Sequence, residues 1–80
     1  MTVDPETLVY FRPGCPFAAS LRGRLTLARI PHRSQPFRHD EEAAALVRAA
    51  NGGNEVSPTV LVRGSYLVNP SVKAIRAAAQ

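Results

Sequence analysis

The sequence predicts one α/β domain over residues 1–80, built as a four-stranded mixed sheet with helices on both faces in the order β-α-β-α-β-β-α. Three observations predict it. Thr7-Leu8-Val9-Tyr10-Phe11 is a short apolar run of the kind buried on both faces of a sheet, and a stretch with helical spacing follows it. Pro58-Thr59-Val60-Leu61-Val62-Arg63 and Tyr66-Leu67-Val68 stand one tight turn apart, as in a hairpin. Two segments with helix-start signals, at Asp40 and at Asn69, precede and follow that hairpin. Eighty residues leave no room for a second core.

The elements follow in order. Pro13-Gly14 ends the first strand, and the helix from Pro16 to about Arg29 carries an apolar stripe of Phe17, Leu21, Leu25 and Ala28. Pro16 suits the first turn, where an absent N–H costs nothing, and Pro31 closes the segment. His32 to Phe37 is a weaker strand, and Pro36 assigns it to an edge or to a strand end. Asp40 is the expected N-cap of the second helix, with Glu41 and Glu42 in its first turn and Asn51-Gly52-Gly53-Asn54 as its stop. Gly64-Ser65 is the expected hairpin turn. Asn69 is the expected cap of the last helix, with Pro70 in its first position. The first β-α-β is then a right-handed parallel crossover, and the hairpin supplies antiparallel strands.

Composition narrows the functional classes. With 45% apolar and 20% charged residues the chain reads as a soluble globular protein, not a disordered tail. One cysteine closes no internal disulfide, no charged-then-apolar leader opens the chain, and no run approaches the ~18 apolar residues of a membrane span. The expected compartment is the cytoplasm, without a membrane. Nine of the ten basic residues are Arg, for a formal charge of +4. Arg22, Arg24 and Arg29 spread along one helix without aromatic residues interleaved, which reads as a solvated basic face and not a nucleic-acid site. His32 and His39, with a single cysteine, form no metal site of known spacing and read as solvent-exposed. Helix capping accounts for Asp40, Glu41 and Glu42.

Cys15 is the residue that carries chemistry. It follows a Pro-Gly turn and stands where a helix begins, so first-turn N–H groups face the sulfur. Helix N-termini lower a thiol pKa from about 8.5 to ~3.5–7.5, and Arg12 can add a full positive charge. Pro16 shapes the same turn. A two-cysteine redox loop would carry its second thiol at position 18, and this chain has Ala18. The thiol therefore acts alone within the chain.

Arg12-Pro13-Gly14-Cys15-Pro16-Phe17 resembles the active-site segment of the glutaredoxins, which have the thioredoxin-like fold. Asn51-Gly52-Gly53-Asn54, Pro58-Thr59-Val60 and Asn69-Pro70-Ser71 are most similar to the actinobacterial mycoredoxins, in the same order over nearly the whole chain. Val56-Ser57-Pro58 departs from the commoner Thr-Val-Pro, and Ala18 from the dithiol pattern. The resemblance implies a monothiol thiol–disulfide oxidoreductase whose catalytic residue is Cys15. It further implies a cis Ser57–Pro58 bond beside that thiol, with the N–H and C=O of Ser57 unpaired and facing the substrate. Val68, Asn69 and Ser71 would hold the carboxylate or polar groups of a low-molecular-weight thiol, and Phe17 would wall the bound disulfide.

Glutaredoxins that use glutathione carry Gly-Gly and acidic residues after the last strand. Their absence favours mycothiol, with glutathione second. The expected partners are S-thiolated proteins and that small thiol, acting on a monomer without a metal. Two alternatives come from the same resemblance. One is an iron–sulfur carrier, disfavoured because Pro16 replaces the glycine of the Cys-Gly-Phe-Ser pattern. The other is a catalytically weak thiol-binding domain.

Overall fold

The computed structural model describes residues 7–79. Its elements are β1 (Thr7–Phe11), α1 (Pro16–Leu27), β2 (Arg33–Pro36), α2 (Glu41–Ala50), β3 (Thr59–Val62), β4 (Ser65–Val68) and α3 (Val72–Ala79). The sheet order is β2-β1-β3-β4. β1 and β2 run parallel, with Val9 opposite Ser34, while β3 is antiparallel to both β1 and β4. This is the mixed sheet that the element order predicts.

Strand alternation divides the core between the two faces. Val9, Val60 and Val62 pack with Leu21 and Leu25 of α1 and Ile75 of α3. On the other face, Tyr10 and Phe37 pack with Ala43, Ala44 and Val47 of α2, and half-buried Leu8 and Leu61 complete that cluster. A continuous apolar β1 is required because the strand is covered on both sides.

Several boundaries differ from the expectation. The buried residues of α1 are Ala18, Leu21 and Leu25, whereas Phe17 is 65% exposed. A register based on Phe17 is therefore one residue off, and the stripe turns the ring toward solvent. The α1 helix stops at Leu27, and Arg29 takes φ 59° so that the Ile30 N–H can reach the Leu25 carbonyl at 3.0 Å. The hairpin turn is Arg63-Gly64, not Gly64-Ser65. Both residues have positive φ, as the twist-matched two-residue turn demands.

The last helix begins at Val72, not Pro70, and Ser71 replaces Asn69 as its cap. The Ser71 hydroxyl accepts from the Ala74 N–H at 3.1 Å, while Asn69 sits at φ 44° outside the helix. Asp40 caps α2 as expected, accepting from the Ala43 N–H at 3.1 Å. His32 is half-buried against the Ile30 carbonyl at 2.9 Å, contrary to its expected exposure. Among the described residues no helix is long and apolar enough to cross a membrane.

Candidate functional site around Cys15

Arg12-Pro13-Gly14-Cys15 forms the turn that aims the thiol. The Cys15 N–H reaches the Arg12 carbonyl at 3.0 Å, and Gly14 occupies φ 88°. Proline second and glycine third is the pattern of a type II turn, whose third residue needs positive φ. Cys15 is then the N-cap of α1, with extended backbone and no side-chain capping bond, and Pro16 is the first helical residue. The sulfur therefore stays available, half-exposed beside the first-turn N–H groups.

The loop before β3 supplies the other wall. Ser57–Pro58 is cis, and the Ser57 carbonyl lies 3.7 Å from Cys15 Sγ. That carbonyl was expected to face substrate unpaired; it lies instead within reach of the thiol. The Ser57 hydroxyl accepts from the Arg12 N–H at 2.9 Å, which leaves its own proton free to donate to the sulfur. The two Ser57 groups act oppositely, since the carbonyl favours the protonated thiol and the hydroxyl favours the thiolate.

Donation prevails. The Ser57 hydroxyl and the Ala18 N–H hold the thiol below its ordinary pKa, with smaller help from the Phe17 N–H and the Arg12 charge, against a partial burial that raises it. Arg12 contributes least for a visible reason. Its guanidinium pairs with Glu55 at 3.4 Å and lies 5.8 Å from the Phe37 ring centroid.

The loop itself is held by side chains. Thr59 Oγ1 donates to the Val56 carbonyl at 2.7 Å and accepts from Asn51 Nδ2 at 3.1 Å, tying the end of α2 to the start of β3. The Asn69 N–H donates to the Pro58 carbonyl at 2.9 Å, bringing the α3 entry against the same bend.

Between α1 and the α3 entry runs a groove of about 170 Å³, lined by Phe17, Ser20, Leu21, Arg24, Asn69, Pro70, Ser71 and Val72; it begins at Phe17, two residues after Cys15, and Cys15 itself does not line it. It brings together three expected binding residues: Phe17, Asn69 and Ser71. Val68, 53% exposed, lies just before this wall without lining it. Ser20 and Arg24 were not anticipated, although they share the Phe17 face of α1 at three- and four-residue spacing. Glu55 was also missed. Ala18, where a second thiol would stand, is only 1% exposed.

No family model matches the chain. Two proteins of Mycobacterium tuberculosis do: "Putative glutaredoxin MT3292" of strain CDC 1551 / Oshkosh and "Putative glutaredoxin Rv3198A" of strain ATCC 25618 / H37Rv. Each is 36% identical over 70 residues, covering 86% of this chain and 83% of its own. The chain belongs to the glutaredoxin family. Among solved structures, a mutant of the thioredoxin-like protein BC3987 superposes on this glutaredoxin-family chain with TM-score 0.76 at 16% identity, over 92% of this chain and 99% of that one. The holo form of glutaredoxin C1 from populus tremula x tremuloides gives 0.66 at 15% identity, over 80% and 65%. At those identities the likeness is one of fold, and the fold is thioredoxin-like.

Proposed function

We propose that this glutaredoxin-family chain is a monothiol thiol–disulfide oxidoreductase that removes a low-molecular-weight thiol from S-thiolated proteins. The observation that carries the proposal is an accessible, acidified thiol at the start of α1, with buried Ala18 one turn further on. The Cys15 thiolate attacks the small-thiol sulfur of a protein mixed disulfide. A bond forms between Cys15 and that sulfur, the old S–S bond breaks, and the protein leaves as a thiolate that takes a proton from water. A second molecule of the small thiol, as its thiolate, then attacks the sulfur of the first. That step forms the small-thiol disulfide and returns Cys15 as thiolate. The protein sulfur is reduced at the expense of the second small thiol, which leaves joined to the first as their disulfide, so no second cysteine is needed.

The groove between α1 and the α3 entry supports mycothiol over glutathione. No carboxylate lines it, and the first turn of α3 carries no acidic residue. The ammonium group of glutathione would meet no counter-charge there. An uncharged, hydroxyl-rich thiol would meet the polar groups of Ser20, Asn69 and Ser71, while the Arg24 guanidinium can donate to a hydroxyl or to a carboxylate. A reducing cytoplasm is the compartment that suits a lone reactive thiol working as a monomer.

The test is steady-state turnover on one model protein carrying either mycothiol or glutathione, each with its matching small thiol as reductant. Faster turnover of the mycothiolated protein is expected. Faster turnover of the glutathionylated one would reverse the choice of thiol, and none on either would overturn the proposal.

A further inference from the structure

We propose that Glu55 is a positioning residue for the reacting thiol: its carboxylate holds the Arg12 guanidinium aside, so that Cys15 is served chiefly by N–H and O–H donors and only weakly by that cation. A chain of alternating charges carries this inference. Glu41, in the first turn of α2, pairs with Arg48 near the end of that helix. Arg48 Nη1 donates to Glu55 Oε2 at 2.8 Å, and Arg12 Nη2 meets Glu55 Oε1 at 3.4 Å. One carboxylate thus serves two cations, one from α2 and one from the loop that precedes the thiol. The Arg12 side chain also lies over Phe37, whose ring is buried in the α2-side cluster.

The backbone of Arg12 is held separately. Its N–H is bound by the Ser57 hydroxyl, and its carbonyl accepts from the Cys15 N–H. The side chain can therefore exchange partners while the turn that aims the sulfur stays in place. Among the described residues, Glu55 faces Arg12 and Arg48, Arg48 faces Glu41 and Glu55, and Arg12 is the charge felt by the thiol. A thiolate loses nucleophilicity as its pKa falls, so keeping a full cation at a distance preserves attacking strength while the donors keep the sulfur ionised.

This inference rests on Cys15 being the reacting thiol. Its test reads the thiol itself, without turnover, so the two proposals can fail separately. Thiolate absorbance near 240 nm is titrated at low salt for the wild type, Glu55→Gln, Arg12→Gln, the double variant and Arg48→Gln. Glu55→Gln should raise the thiolate fraction below the midpoint roughly two- to fivefold, the scale of an exposed charge pair. Most of that gain should vanish when Arg12 is also replaced, or when 0.5 M salt is added, about five times the salt that already brings the screening length to ~10 Å. Arg48→Gln, which leaves the carboxylate wholly to Arg12, should move the midpoint the other way. An unmoved midpoint in Glu55→Gln, or an equal shift in both Arg12 backgrounds, would overturn the inference. So would a shift of the same sign in Arg48→Gln, which a merely loosened loop would produce.

Discussion

At the scale of single residues, the chemistry depends on which donors reach one sulfur. The Ser57 hydroxyl is the largest of them, ahead of the first-turn N–H groups. Ser57→Ala should therefore move the thiolate midpoint of Cys15 to higher pH, and titration of the 240 nm absorbance checks it. The variant also removes the acceptor for the Arg12 N–H, so the turn before Cys15 should exchange its amide protons faster. The lone cysteine, its Pro-Gly turn and the helix start were legible in the sequence because each is a local signal. The pairing of Arg12 with Glu55 was not, because it joins residues 43 positions apart through the return of the chain into β3.

At the scale of elements, helix ends decide what the groove offers. Ser71 uses its hydroxyl as the α3 cap, which fixes that wall of the groove while leaving the lone pairs and N–H groups around it to a ligand. Ser71→Ala should cost about 1 kcal/mol, and in a domain of this size should lower the melting temperature by roughly 4–8 °C per kcal/mol. Calorimetry checks this, and an unchanged melting temperature would mean that the cap is not needed. The misread cap is instructive. Asn69-Pro70-Ser71 contains two good capping residues, and propensity alone does not choose between them. The hairpin chooses: Asn69 is held at positive φ with its N–H on Pro58, so the helix can begin only after Ser71. The shifted stripe of α1 has the same origin. Leu21 and Leu25 are inside as the spacing predicts, but a residue three before Leu21 suits a helix face as well as one four before it, and it is Ala18 and not Phe17 that is buried.

At the scale of the whole molecule, the thiol is linked to folding through its protons. The folded state holds Cys15 below the pKa that an unfolded thiol shows, near 8.5, so the unfolded chain binds more protons between the two values. The thiolate's contribution to stability is therefore fully present above the unfolded pKa, and it is lost as pH falls through the folded one. Urea midpoints of wild type and Cys15→Ala, measured across pH, should diverge as pH rises through that window and stay parallel below it. Parallel curves throughout would mean that the fold does not acidify the thiol. The order of elements and both faces of the core were readable from apolar patterning, because β1 is apolar from Leu8 to Phe11 and each helix has one inward stripe. The groove was readable only in part. Phe17, Asn69 and Ser71 follow from motifs, whereas Ser20 and Arg24 join them only once α1 and the α3 entry lie side by side.

The central claim is that Cys15 takes the small thiol and releases the protein. It is tested most directly by one turnover without free thiol. Reduced protein is mixed with a model protein carrying mycothiol in disulfide linkage, and the products are weighed intact by mass spectrometry. The account predicts one equivalent of reduced model protein and one mycothiol adduct on Cys15, stable until a second small thiol is added. A covalent complex between the two proteins, or an unmodified Cys15, would contradict it.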